Sequence, residues 1–352
     1  MNKYISKSHS AKTSVKELSK RVYSIAKQNE MLNEEIKKTS SMAEDINSIK
    51  KQLRTLTKAL SQNPSLIQSE QELLKKISEN MPYITVDIFS PSANRDFHFL
   101  FRSNDPYMAK HMWGVNRKVH SEEEIQTFLM LSQRYYGITP DSKGSFLDIG
   151  GNIGTTSIYV SKCCPALDVL AFEPDPDNSK IFRINCILNN SNAALYNIAL
   201  GERNTDVSLA LSDNNMGDHR ILNASLEARR KKTVCMRTFD AWFEEHPQTI
   251  KYIWMDVQGY EGFVLEGMQK ALDMQTFPIW MEFCPQMLRE SESFESLLFV
   301  LQRYFSSYID RHNPNKEYTI DKIIELADSL TGDKATDLFL IRKGISVHQF
   351  AE

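Results

Sequence analysis

A short apolar run, Phe146-Leu147-Asp148-Ile149, passes directly into Gly150-Gly151-Asn152-Ile153-Gly154 and then into a helical pattern from Thr155. Few chain geometries accommodate this. Three glycines in five residues allow a sharp turn and a close approach to the main chain. A strand before and a helix after make the beginning of a parallel crossover unit. The pattern repeats along the chain. Asp168–Phe172 reads as a second strand, ended by Glu173-Pro174, and Leu195–Leu200 as a third. Tyr252–Met255 is a fourth, Pro278–Phe283 a fifth, and Tyr304–Ile309 and Asp337–Ile341 two more. Helices are expected over Thr155–Cys164, Asn178–Asn189 and Glu261–Leu272. Another is expected to Tyr136, with Ser121 as N-cap and Glu124 three residues on. Strands this apolar, alternating with helices, imply an α/β fold: a mostly parallel sheet covered on both faces. Ligands of such sheets lie beyond the carboxyl ends of the strands, so the residues just after each strand are the candidates.

The first 80 residues are of another kind. Residues 14–60 hold no Gly and no Pro. Leu18, Ile25, Leu32, Thr39, Ile46, Leu53 and Leu60 repeat every seven residues, with Val15, Val22, Asn29, Ile36 and Ala43 as a companion series. From Ile46 the companion shifts to Ile49 and Leu56. So narrow a stripe on a lone helix is marginal in water, so a coiled coil about 70 Å long is expected, with one helix folded back on its own domain as the alternative. Asn29 would fix register. Residues 1–80 carry 15 basic and 9 acidic residues, a net of +6; the other 272 carry 27 and 36, a net of −9. The expected organisation is therefore an oligomerising helical region (1–80), a β-rich cap (81–120, with Tyr83–Phe89 and Phe97–Phe101 as a hairpin) and an α/β domain (121–352). The acidic balance of the α/β part argues against nucleic acid as a partner. The basic stretch from Lys3 to Lys27 suits an anionic surface, so a peripheral place at the inner face of a membrane stays open. No apolar run approaches the roughly 18 residues of a membrane span. The first residues lack the apolar core of a secretory leader. The five cysteines show no metal-ligand spacing, so a reduced, cytoplasmic protein is expected.

The residues at the strand ends narrow the chemistry. A dinucleotide turn runs G-x-G-x-x-G; here the order is Gly150-Gly151-Asn152-Ile153-Gly154, with Asp148 two residues before it. A carboxylate there repels a pyrophosphate but suits a ligand with an ammonium and a sulfonium, as in S-adenosylmethionine. Glu173, 25 residues after Asp148, can accept both hydroxyls of a ribose. Asp256-Val257-Gln258-Gly259-Tyr260-Glu261-Gly262 follows the fourth strand. Asp256 would point into the cleft, and Glu261 would sit in the first turn of a helix, where the dipole favours it.

Taken in order, Asp148 to Gly154, Phe172-Glu173-Pro174, Asn197-Ile198-Ala199-Leu200-Gly201, Arg237-Thr238-Phe239-Asp240 and Asp256 to Glu261 resemble the FkbM family of S-adenosylmethionine-dependent methyltransferases. The resemblance covers roughly residues 120–345. It departs from the family at Gly151, where Ala is usual, and at Gln258, where Glu is usual. It implies a class I, Rossmann-like methyltransferase fold with a seven-stranded sheet, and O-methylation of a sugar, glycan precursor or other small-molecule hydroxyl. It gives Asp148, Gly150, Gly151, Asn152, Gly154 and Thr155 to the methionine end of the cofactor, and Glu173 with Pro174 to the ribose. Asn197 and Ala199 would border the adenine, and Asp256 would face the methyl group and the acceptor. An alcohol acceptor needs its proton removed, so a general base is useful. His219, in the polar segment Ser212–Arg220, is one candidate, Asp256 is another, and Glu282 could bind acceptor hydroxyls. No spacing demands a metal, although Asp213, Asp256 and Glu282 offer the oxygen ligands that hard cations take. Two other functions remain open: a scaffold that binds the cofactor without turnover, and transfer to a protein or small-molecule nitrogen. The coiled coil would make the enzyme a homo-oligomer and could recruit it to a glycan-synthesis complex.

Overall fold

The structure is a computed structural model and describes residues 83–345, apart from 109–111, 113–117, 214 and 223–228. The heptad segment lies outside the described residues. Two compact units are present, Met1–Ile88 with His98–Arg117, and Phe89–Phe97 with Lys118–Glu352. The expected hairpin is formed by β1 (Tyr83–Ser90) and β2 (Arg95–Arg102). In the first unit, His98 Nδ1 and Asp87 Oδ1 are 2.7 Å apart across it.

The second unit is built on an eight-stranded sheet. Its strands are β3 (Gly144–Ile149), β4 (Leu167–Phe172), β5 (Ala194–Tyr196), β10 (Ile250–Met255), β11 (Ile279–Phe283), β12 (Phe305–Asp310), β13 (Glu317–Thr319) and β14 (Thr336–Arg342). Their order is β13-β12-β14-β11-β10-β3-β4-β5. The pairs from β11 through β10, β3 and β4 to β5 are parallel. Strand β14 inserts antiparallel between β11 and β12. This is the class I methyltransferase arrangement, seven strands with the last one reversed, extended at its edge by the three-residue β13. Strand order reverses between β3 and β10, which opens a crevice at their carboxyl ends.

Alternation along the strands supplies two cores. On one face the ring of Phe128, from α1 (Glu122–Tyr136), meets Phe146, Tyr252, Trp254, Trp280 and Phe339 at centroid distances of 5.6 to 6.4 Å. The neighbouring residues Leu147, Ile253, Met255, Ile279, Met281 and Leu340 face the other way, into a core with Trp242, Leu265, Leu297 and Leu301. Those four come from α4 (Phe239–Glu245), α5 (Glu261–Glu266) and α8 (Phe294–Tyr304).

The structure departs from the sequence expectations in three places. Leu195–Leu200 is not one strand: Asn197 donates to the main-chain carbonyls of Glu173 and Pro174, and the chain leaves the sheet there. The next residues form β6 (Ala199–Leu200) in a second sheet with β7 (Thr205–Leu211), β8 (Arg220–Ile221) and β9 (Arg230–Arg237), in the order β6-β9-β7-β8. The helix expected over Glu261–Leu272 is two, α5 and α6 (Gln269–Met274). Gly267 separates them, and a Cβ on it would stand 2.0 Å from the carbonyl oxygen of Gly201. Ser121 makes no side-chain cap, because its φ of 61° turns it out of the capping geometry. The remaining helices are α2 (Thr155–Cys163), α3 (Pro176–Asn189), α7 (Pro285–Glu290) and α9 (Ile323–Ser329).

Helices α5 and α8 touch through Gly262, where an added Cβ would lie 1.9 Å from the carbonyl oxygen of Ser293. Forcing a methyl group into such a contact displaces main chain. Gly262→Ala is expected to destabilise the protein by about 3 kcal/mol in urea unfolding; an unchanged midpoint would refute the close packing of these helices.

Candidate active site

The glycine turn follows β3 and enters α2. Gly150 has φ 95°, Asn152 φ 45° and Gly154 φ 91°, three residues in the left-handed region within five positions. The N–H groups of Gly150 and Gly151 both donate to the carbonyl of Phe172 at the end of β4, at 3.0 and 2.9 Å. On its other side the turn meets β10: a Cβ on Gly150 would sit 1.8 Å from the carbonyl oxygen of Asp256. Only glycine satisfies both the dihedral and the space. A Cβ on Gly154 would meet the Phe182 ring at 2.9 Å. Thr155 begins α2 and is buried. Asn152 Oδ1 is buried and has no hydrogen-bond partner among the described residues.

Acidic side chains from four neighbouring strands gather at this edge. Asp148 is buried and accepts a hydrogen bond from Ser157 Oγ at 2.5 Å. Burial, with the nearby Asp256 charge, pushes its carboxyl up to about 7. Glu173 accepts from the N–H of Asn152 at 2.9 Å and of Asp175 at 2.7 Å. Burial still raises it to about 8, with Asp175 and Asp148 adding repulsion. Asp256 and Glu282 are both raised by burial, Glu282 also by the Asp256 charge. Gln258, with φ 55°, donates through Nε2 to Asp256 Oδ1 at 2.6 Å and to Glu282 Oε2 at 3.0 Å. Glu261 folds back on the start of its own helix and accepts from the N–H groups of Val257 and Gly259, which is the dipole role expected of it.

A strap from the second sheet borders the Glu173 side of this edge. Asp175 caps α3 by accepting from the N–H of Asn178, and its other oxygen takes the Lys232 ammonium at 2.5 Å. Asn178 Nδ2 donates to the carbonyl of Met216. His219 is not an exposed loop residue: its side chain is 8% exposed, and Nδ1 accepts from the Ser212 N–H. Its Nε2 lies 3.9 Å from Asp175 Oδ2, on the Glu173 side.

The structure thus brings Asp148, Gly150, Gly151, Asn152, Gly154, Thr155 and Glu173 into one turn-and-strand-end cluster. Asp256 and Glu282 are brought together beside it. His219 lies beside Asp175. Asn197 braces the Glu173-Pro174 strand end through its amide, and Ala199 is buried in the second sheet. Asp213 turns to Arg230 on the surface, away from Asp256 and Glu282. Among the described residues no group of three or more His, Cys, Asp or Glu is arranged to hold a metal ion, and no helix is long and apolar enough to cross a membrane. Sequence reasoning missed Gln258 as a donor to both acids, Ser157 beneath Asp148, and the Lys232–Asp175 pair. Only the run Arg230-Lys231-Lys232 beside an acidic strand end signalled the last.

An α/β sheet of this order, with a glycine turn and an acid after each central strand, defines a class I methyltransferase fold. Residues 148–308 match the family described as Methyltransferase FkbM domain. It is 30% identical to 2-O-methyltransferase NoeI of Sinorhizobium fredii over 162 residues, 42% of this chain and 65% of that protein. It is 38% identical to Methyltransferase 1 of Beauveria bassiana over 79 residues, 22% of this chain and 31% of the relative. The chain therefore spans less than two thirds of either relative. Among solved structures it is similar to Methyltransferase FkbM from Methylobacillus flagellatus KT, with 14% identity, a TM-score of 0.35, and coverage of 62% of this chain and 59% of that one.

The raised carboxyls set a pH dependence of stability. Asp148 and Glu173, and Glu261 and Asp337 at about 7, bind protons more tightly in the folded chain than in the unfolded one, where values near 4 return. Between about pH 5 and 8 the folded state then holds more protons, so stability falls as pH rises. The thermal midpoint is expected to drop across this range, and Asp148→Asn to flatten the slope. An equal slope in the variant would refute the burial of that charge.

Proposed function

We propose that this protein transfers a methyl group from S-adenosylmethionine to a hydroxyl of a sugar, glycan or glycan precursor. One observation carries the reading. Asp148, Glu173, Asp256 and Glu282 gather at neighbouring strand ends, raised by burial, and the hydrogen bonds they accept come from main-chain N–H groups, a hydroxyl and a carboxamide. A crevice of unneutralised buried acids suits a cationic ligand and repels a phosphate. S-adenosylmethionine brings an ammonium and a sulfonium, and the sulfonium supplies a methyl group open to attack.

The residues present fit that ligand. The glycines let the turn pack directly on Asp256, Ala171 and Phe182 at the strand ends, and the buried Asn152 Oδ1 offers an acceptor with no partner among the described residues. Glu173 would hold the ribose hydroxyls, with its carboxyl already oriented by two main-chain N–H groups. Asp256 and Glu282 would orient the acceptor hydroxyl and take its proton, while alignment of the reacting atoms supplies much of the rate. The name 2-O-methyltransferase borne by one relative supports oxygen as the acceptor atom. His219, which lies beside Asp175, is assigned to the nucleoside end in this reading.

Calorimetric titration tests it. The wild-type protein is expected to bind S-adenosylmethionine and S-adenosylhomocysteine at micromolar concentrations. Glu173→Ala should weaken both by more than about tenfold, the loss of a hydrogen-bonded carboxylate. Asp256→Asn should lose labelled-methyl transfer to saccharide acceptors. A folded wild-type protein that binds neither ligand would overturn the proposal.

A further inference from the structure

Gln258 stands where the residues around it supply acids. Its carboxamide has two N–H bonds, and both are used: one to Asp256 at 2.6 Å and one to Glu282 at 3.0 Å. The turn that aims it is held firmly. Gln258 and Gly259 are consecutive left-handed residues, with φ 55° and 96°. A Cβ on Gly259 would lie 2.7 Å from the main chain of Met287. The carbonyl of Gly259 accepts from the hydroxyls of both Ser291 and Ser293. The side chain therefore has little freedom to leave the two acids.

We propose that Gln258 is a positioning residue of the acceptor side: its carboxamide ties Asp256 and Glu282 into one unit that carries a single proton between them. This rests on the methyl-transfer reading for its use, though not for its existence. Acids face the pair from several elements. Asp148 faces it from β3, Asp218 from the strap before β8, Glu261 from α5, Asp337 from β14, and the Cys284 thiol follows β11. The cations beside these neighbours are already paired: Arg311 with Asp337 and Glu124, and Arg220 and Arg229 with Asp218. Glu261 Oε2 is buried and lacks a partner, so this neighbour offers the pair no neutralisation. Two adjacent buried carboxylates in such company cannot both ionise. The two N–H donors in turn oppose full protonation, because each favours a carboxylate at its end.

The proton balance then closes without an outside base. The acceptor O–H bond breaks, its electron pair stays on oxygen, and the proton adds to the pair, which goes from one proton to two and from −1 to neutral. The ligand chemistry selected is an uncharged hydroxyl compound. A phosphate or carboxylate on the acceptor would meet a second negative charge at this wall.

The test is carboxyl-carbon NMR on protein with ¹³C-labelled Asp and Glu, assigned with Asp256→Asn and Glu282→Gln, together with calorimetry on S-adenosylhomocysteine. In the wild type the pair should titrate in two separated steps, with the one-proton state spanning neutral pH. Gln258→Met removes both donors and should move the lower step upward by about one pH unit, with cofactor affinity unchanged within about twofold. Gln258→Asn, too short to reach both acids, should act alike and carries the test should the Met variant fail to fold. Two ordinary titrations near pH 4 in the wild type, or steps unmoved in both variants, would overturn the proposal. A pair that titrates as stated in a protein without affinity for S-adenosylhomocysteine would remove methyl transfer and leave the shared proton standing.

Discussion

The contact between Gly150 and the carbonyl of Asp256 is the constraint on which the site depends. A Cβ would be 1.8 Å from that oxygen, so the two strand ends meet main chain to main chain. The N–H of Asp256 donates to the carbonyl of Ile149 at 2.9 Å just before this point, so β3 and β10 stay paired up to the turn. Across the turn, Gly150 and Gly151 bond the end of β4. Three strands are thereby locked at their carboxyl ends, and the acids that follow them share one crevice.

That crowding of acids is costly to a folded chain, and the fold offsets it with donors rather than with cations. Main-chain N–H groups serve Glu173 and Glu261, a serine hydroxyl serves Asp148, and one carboxamide serves Asp256 and Glu282. Cations are kept for the rim, where Lys232 meets Asp175 and Arg311 meets Asp337. The result is an edge of carboxyls held by donors, which keep their protons into the neutral range.

The central sheet was legible in the sequence because its strands are buried on both faces and so read as nearly continuous apolar runs. The glycine turn and Glu173 were legible because main-chain geometry and strand-end position restrict the residues that can stand there. The second sheet was not. Strands β7 and β9 are half-exposed and carry Asp206, Arg230, Lys231 and Lys232, so no apolar run marks them. The division of Leu195–Leu200 depends on Asn197 bonding a segment 23 residues away, and the break at Gly267 depends on Gly201. The burial of His219 has partly the same origin, since besides Ser212 of its own strap it lies against Asp175 at the start of α3. Such long-range contacts leave no local periodicity.

Because the junction between the two walls is made of backbone atoms, it carries no information about side chains. Residues 256, 258 and 282 contribute to one wall only through what projects from Cβ outward, while the turn at 150–154 contributes almost entirely through what it lacks. The two walls can therefore change independently: new side chains on the acid-bearing wall redraw what it recognises, and the glycine wall stays where the main chain puts it.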